Sequence, residues 1–384
     1  MRRHNGIALL TAIWVLTVLL ILVGGFAAMT HSETEVARNF GGQAGATWAA
    51  RAGIRRAEAE LLTNAAAQPY TALGGPQEVI TGPDDTTSLG GAGYSVAIQD
   101  EAGKININTA DATTLGAFFT ADVVQNILAW RAPSAAETGI GDSYYTGLTP
   151  PYQCKHAPFD TVDELLLVQG ITPDMLTTVV TADGLTLKDV LTSTSYDNNT
   201  DMSGQARVNL NTATAAQLTS RFGDVFTSQE VARIIAQRPS RGYQSPADLL
   251  SVTGISNLTQ KVAKVYDRLT TNTARTIKGL VNLNTASPEV LAALPGMDAA
   301  TAQVIVQHCQ TQGPLTDVGQ LLQVGGVSSA LFRRVAALFT VRSSLFRAIS
   351  AGNSADGMTQ TASCLLHVEQ SNGATITRTM YWRE

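Results

Sequence analysis

This chain is short of the features that usually announce an enzyme. Only three of its 384 residues are cysteine, Cys154, Cys309 and Cys364, too few and too scattered for a zinc site built on close pairs. An oxidising compartment would allow one disulfide among them, and the odd number leaves at least one thiol free. Charged residues are 15% and aromatics 6% of the total, so the composition carries no strongly basic or aromatic-rich surface. No Gly-x-Ser-x-Gly, His-Glu-x-x-His or Gly-x-x-x-x-Gly-Lys occurs, and His4, His31, His156, His308 and His367 stand apart. The chain therefore reads as a non-enzyme. Proline is absent before Pro69, which leaves the whole N-terminal stretch free to be one helix.

The net charge of −5 is unevenly spread: residues 1–200 carry 10 Lys+Arg against 20 Asp+Glu, and residues 201–342 carry 13 against 8. A basic excess of that size could meet an anionic partner, but it is ordinary for a solvated surface, which is the favoured reading.

At the N-terminus Arg2 and Arg3 precede an uncharged run from Ile7 to Met29. At ~1.5 Å per residue the run spans about 35 Å, enough to cross a bilayer core. It is longer than the apolar part of a cleaved secretory signal. The next stretch, with Glu33, Val36, Phe40, Trp48, Ile54 and Leu61, continues as an Ala-rich helix whose weak point is Gly41-Gly42.

Residues 74–93 read as a Gly/Pro/Thr/Asp-rich connection, and Gly93–Asp100 alternates as a strand. Ser344–Ser350, Thr361–Glu369 and Thr375–Trp382 alternate likewise, with Ser371-Asn372-Gly373 as a hairpin turn. The two ends of the chain thus predict one antiparallel sheet packed on the long helix, with the middle inserted between its strands.

The middle repeats. Ile105-Asn106-Ile107-Asn108-Thr109-Ala110 returns as Val208–Ala213 and as Val281–Ala286. In each copy a later Phe159, Tyr243 or Leu315 leads a glycine (Gly170, Gly254, Gly326) by 11 residues. From the second Asn to that residue the spacings are 51, 32 and 31, so the first copy carries an extra loop between Ala132 and Pro158. The Asn and Thr of each element are expected to cap the helix that comes after it.

Asn-Thr-Ala, helix, Leu294-Pro295-Gly296, helix and a second Gly-hydrophobe turn together resemble helix-hairpin-helix units of DNA-binding proteins. Those units lay backbone N–H groups against a phosphate between two glycines. Here the second glycine is replaced by Thr172, Ser256, Asp298 and Ser328, so the resemblance implies a retained scaffold without the DNA function.

Gly6 followed by Ile7-Ala8-Leu9-Leu10 resembles the cleavage site of type IV prepilin-like proteins. That resemblance makes Gly6 the residue before the cut and Ile7 the processed, methylated first residue. The usual Glu at the fifth mature position is here Thr11. Lack of that Glu, sheet strands at both ends and inserted helical repeats together resemble the minor pseudopilins of the K type in type II secretion, over nearly the whole chain. The implied fold is α+β: a pilin-like long helix on a small antiparallel sheet, with a large all-α insert of helix-hairpin-helix (SAM-like) repeats. Its parts are a leader (1–6), a transmembrane segment (7–29), a periplasmic helix (30–64), a sheet (65–104 and 343–384) and an insert (105–342). The insert divides into units 105–200, 201–278 and 279–342.

The resemblance further implies a single-pass inner-membrane protein, its N-terminus cytoplasmic before processing and its bulk periplasmic, that caps a pseudopilus tip. Its partners would be the I-, J- and H-type minor pseudopilins, the prepilin peptidase, the inner-membrane secretion platform and secreted substrates, with nucleic acid disfavoured. Calcium is the implied ion, with Glu137, Asp142 and Asp160 as oxygen donors around the first-copy loop; solvated carboxylates are the plain alternative. Two other readings use the same residues: a membrane-anchored DNA receptor and a minor pilin of a type IV pilus.

Overall fold

The computed structural model describes residues 5–83, 89–133, 142–371 and 374–383. Arg2, Arg3, Glu137 and the hairpin tip Asn372-Gly373 lie outside them. Helix α1 (Asn5–Ala67) runs 63 residues without a break, roughly 95 Å at ~1.5 Å per residue. It stops just before Pro69, whose ring and missing N–H cannot continue an α-helix. Gly41-Gly42 does not interrupt it. A Cβ on Gly42 would come within 3.3 Å of the Met358 side chain, so a small residue there lets the sheet approach.

The sheet has five strands in chain order: β1 (Gln77–Gly82), β2 (Gly93–Asp100), β3 (Leu345–Asn353), β4 (Thr359–Ser371) and β5 (Ala374–Arg383). All four pairings are antiparallel. The expected strands are present, and Ser371 pairs with Ala374 as a hairpin requires. One strand lies where the sequence predicts only a connection: Glu78-Val79-Ile80-Thr81 pairs with Ser95–Ile98 of β2. Its β-branched run is short, and flanking Gly and Pro mask it.

Helix and sheet share a small core of their own. Ala50, Ile54, Ala57 and Leu61, spaced three or four apart on one face of α1, bury against Val96, Ile98, Ala348, Cys364 and Leu366. The seam is made of small residues. A Cβ on Gly352 of β3 would sit 2.9 Å from the Ala50 Cα and still closer to the Ala46 carbonyl oxygen and the Ala50 amide nitrogen.

The pairing of β2 with β3 brings Asp100 beside Phe346, with the three helical units inserted between these strands. The first unit holds α2 (Ala112–Gly116), α3 (Ala121–Arg131), α4 (Asp142–Thr146) and α5 (Pro173–Thr177). The second holds α6 (Ala215–Phe222), α7 (Ser228–Ala236) and α8 (Leu258–Val265); the third holds α9 (Pro288–Ala292), α10 (Ala299–Gln312) and α11 (Ser329–Val335). Each unit begins with a two-residue strand and closes by pairing it in parallel with its own end: Ile105-Asn106 with Leu191-Thr192, Val208-Asn209 with Leu269-Thr270, Val281-Asn282 with Phe339-Thr340. One continuous apolar core, from Ile105 to Val341, runs through all three.

The repeated Asn does not cap the next helix. Asp111, Thr214 and Ser287 do, their side chains accepting from Thr114, Gln217 and Val290 N–H. The second Asn of each element instead bridges to the distant aromatic or Leu. Asn108 Oδ1 accepts from Phe159 N (2.7 Å) and its Nδ2 donates to Phe159 O (2.9 Å). Asn211 does the same to Tyr243 (2.8 and 2.9 Å), and Asn284 to Leu315 (2.8 and 2.9 Å). The amide pairs both ways with one residue's backbone, as a strand neighbour would, and so pins the closing turn. The first Asn turns its own oxygen to the N–H of the second, at 2.9, 2.8 and 3.1 Å, a local Asx turn.

Candidate functional site

Three regions bear on function: the apolar end of α1, the joint between sheet and insert, and the hairpins and loop of the insert. In α1, from Ile7 to Met29, the large apolar side chains, including Leu9, Leu10, Trp14, Leu22 and Phe26, are exposed, and the helix is long and apolar enough to cross a membrane. Ile7 and Gly6 lie in its first turns. Thr11 donates its hydroxyl to its own helix, to Ile7 O (3.1 Å) and Ala8 O (3.0 Å). It therefore offers a neighbouring chain no acidic partner.

The joint is centred on two carboxylates, Asp100 and Glu101, that no motif marked. Asp100, at the end of β2, is buried. Its carboxylate accepts from Ala102 N, from Asn282 Nδ2 and from Thr285 Oγ1, each at 2.7 Å. Burial pushes its pKa up, against the pull of those donors. Next to it Glu101 holds Lys104 (2.8 Å) and Arg347 of β3 (3.0 Å) and accepts from Thr192 of the first unit. Burial acts to raise the Glu101 pKa, but Lys104 and Arg347 outweigh it and hold the group at about 2. Lys104, whose partner Glu101 is shared with Arg347, is pushed down by burial. Sheet, first unit and third unit thus meet at two adjacent carboxylates.

The units are also tied to one another. Arg207 pairs with Asp197 (2.9 Å) and Arg342 with Asp267 (2.5 Å), while Thr340 donates to Asp197 (2.8 Å). Asp317, buried beside Asp267, is raised to about 6, mainly by burial. Through Asp197 the second and third units are tied to the first, and through Asp267 the third is tied to the second. Their sequence signal is faint: Thr192, Thr270 and Thr340 each come after a hydrophobe at a unit's end, and each accepts from the N–H two residues on.

The hairpins have the expected left-handed glycines, Gly170, Gly254, Gly296 and Gly326 (φ 77 to 90°). At three of the four positions where a second glycine is lacking, the residue present caps a helix. Thr172, Asp298 and Ser328 cap α5, α10 and α11, accepting from Met175, Thr301 and Leu331 N–H. At these three helix starts a donor is taken by the chain's own side chain, whereas α8, which follows Ser256, has no side-chain cap. Of the basic residues nearby, Lys261 is held by Glu230 at 2.7 Å and Arg333 by Asp248 at 3.5 Å.

In the first-copy loop an aromatic cluster of Trp130, Tyr145, Tyr152 and Phe159 forms the floor, ring centroids 5.2 to 6.4 Å apart. Two of the three carboxylates expected to hold calcium lie among the described residues, and both have protein partners. Asp160 pairs with Lys155 (2.8 Å), and Asp142 Oδ1 lies 2.9 Å from His156 Nε2. Glu137, the third carboxylate expected there, lies outside the described residues. No disulfide joins the three cysteines, all of which are among the described residues, and Cys154 and Cys364 are buried. Cys154 and His156, which carry no motif in the sequence, come together with Asp142.

Comparison with known proteins places one match on each unit. Two family models, both described as type II secretion system (T2SS) protein K, match residues 107–181 and 208–271, and a helix-hairpin-helix motif model matches 277–340. No curated protein matches the chain. Among solved structures, a chain in the crystal structure of the GspK-GspI-GspJ complex from the enterotoxigenic Escherichia coli type 2 secretion system aligns over 92% of this chain and 98% of its own. The identity is 12% and the TM-score 0.43.

Proposed function

Because the chain belongs to the type II secretion system protein K family, and so to the minor pseudopilins, we propose that it caps the tip of the pseudopilus. The observation that carries this is Thr11, whose hydroxyl is satisfied by its own helix. A pilin-type subunit recruits the next one through an acidic side chain in lipid, where an unpaired charge is costly. A subunit without it can be held by those below and accepts none above. The insert supports the same end position, since three helical units stand on the sheet where a further subunit would stack.

In this reading the peptidase cleaves after Gly6, Ile7 becomes the N-terminus, and α1 anchors the protein once across the inner membrane with its bulk in the periplasm. The exposed residues Val36, Phe40 and Trp48 then face helices of I- and J-type minor pseudopilins. The role is assembly, with no catalytic step. The test is the position of the protein in isolated pseudopili, located by an antibody to the insert. Label confined to one end supports capping, and label along the shaft refutes it.

A further inference from the structure

We propose that Asp142, Cys154 and His156 form a binding site for a divalent transition metal, Zn2+ in the first instance. The three residues come from two segments, the first turn of α4 and the irregular stretch after Pro151. Each offers one ligand atom, and those atoms all lie within 4.8 Å of one another. Bonds of ~2.3 Å to sulfur and ~2.0–2.2 Å to nitrogen and oxygen place ligand atoms roughly 3.3–3.6 Å apart around one ion, so a small shift, with the Asp142–His156 pair opening slightly from 2.9 Å, would admit it.

The histidine is oriented for the task. Its Nδ1 lies 3.2 Å from the Ala132 carbonyl oxygen, which only accepts, so Nδ1 carries the hydrogen. This is how metal-ligating histidines are usually held, with the second ring nitrogen donating to a carbonyl or carboxylate. It leaves Nε2 as the ligand atom, and Nε2 is the nitrogen that faces Asp142 Oδ1 at 2.9 Å. A carboxylate and a ring nitrogen so close need a proton or a cation between them. Zinc takes its ligands deprotonated, so any proton on His156 Nε2 and the Cys154 thiol proton pass to solvent as the Zn–N and Zn–S bonds form.

Shelter and access are both present. Cys154 is 7% exposed, and the His156 and Asp142 side chains are 16% and 52% exposed, so the site is closed at the sulfur and open at the carboxylate. The neighbouring cation does not compete, because Lys155 is turned to Asp160 and Glu164 at 2.8 and 2.9 Å. Thiolate, imidazole and carboxylate together select zinc over calcium or magnesium, which prefer oxygen alone. Three protein donors leave a fourth position for water. The bound ion would clasp the base of the first-copy loop over the Trp130 cluster, tying α4 to the chain entering Phe159.

The experiment is a Co2+ titration of the full-length protein in detergent after chelator treatment. One equivalent should give the near-ultraviolet thiolate-to-cobalt charge-transfer band and visible bands of tetrahedral strength. Zn2+ should abolish them, and a large excess of Ca2+ should not. Cys309→Ser and Cys364→Ser should keep the band, and Cys154→Ser should lose it. Asp142→Asn, a change at the exposed end that leaves the core untouched, should weaken cobalt affinity at least about tenfold. Absence of the band in the unaltered protein overturns the proposal. So does a band that survives Cys154→Ser, or cobalt affinity unchanged by Asp142→Asn.

Discussion

Gly352→Ala tests whether the seam between α1 and the sheet is set by backbone contact. The added Cβ would lie 2.9 Å from the Ala50 Cα and closer to Ala46 O and Ala50 N, and backbone cannot rotate aside as a side chain can. The helix must retreat from β3 by roughly an ångström, and a gap of that size forfeits a quarter to a half of the dispersion attraction across it. Overpacking of this kind costs about 1–3 kcal/mol, and the reduced freedom of the unfolded chain returns ~0.4–1 kcal/mol. The net expectation is a loss of about 1–2 kcal/mol, read as a lower midpoint in urea unfolding of the full chain in detergent. Gly116→Ala is the control. Nothing lies within 4 Å of its Cβ position at the end of α2, so the same change should be neutral or stabilising by up to ~1 kcal/mol. Gly53→Ala separates backbone from side-chain obstruction. Its Cβ meets Ser350 Oγ, with Tyr94 Cδ2 at 3.0 Å, and Ser350→Ala should relieve most of the cost. No side-chain deletion on α1 should rescue Gly352→Ala. If that variant matches the parent, or a side-chain deletion on α1 rescues it, the close-approach argument fails.

Acid should act in two opposed stages. Asp317, raised to about 6, destabilises the folded state above that pH, so stability should rise by up to about 3 kcal/mol as the pH falls toward the ordinary Asp value. Glu101, held at about 2, contributes on the order of 3 kcal/mol above the ordinary Glu value, and this is lost as the pH falls through about 2. Urea unfolding across this range should show a maximum between the two, and Asp317→Asn should flatten its neutral side; a monotonic profile would contradict both assignments. Asn211→Ala should cost about 2 kcal/mol, because Tyr243 N–H and C=O lose their partner, whereas Asn211→Asp should restore the acceptor alone and recover part of it. Replacing Gly6 should leave unprocessed precursor on a gel, and normal processing would remove the prepilin assignment.

Much of this protein is legible in one dimension because the signals are local or periodic. The apolar run from Ile7, the lack of proline before Pro69, the alternation in four strands and the threefold Asn-Thr-Ala element need no partner to be recognised. Even the spacings of 51, 32 and 31 are the separations over which Asn108, Asn211 and Asn284 clasp their partners, although the sequence suggests capping instead. Capping is a local use of an amide, whereas the clasp depends on a turn that the rest of the unit brings back.

The remainder is decided by tertiary structure. In sequence Asp100 is the last residue of an alternating strand and Glu101 the residue after it. They become the buried joint only because β2 and β3 pair across the insert and bring Asn282, Thr285, Thr192 and Arg347 to them. Asp142 and Asp160 look like equivalent carboxylates on a loop until folding gives one a histidine and a thiol and the other a lysine. Periodicity and composition report what a residue does for its own element. Charge pairing, burial and metal chemistry depend on which distant residues share a few ångströms of space.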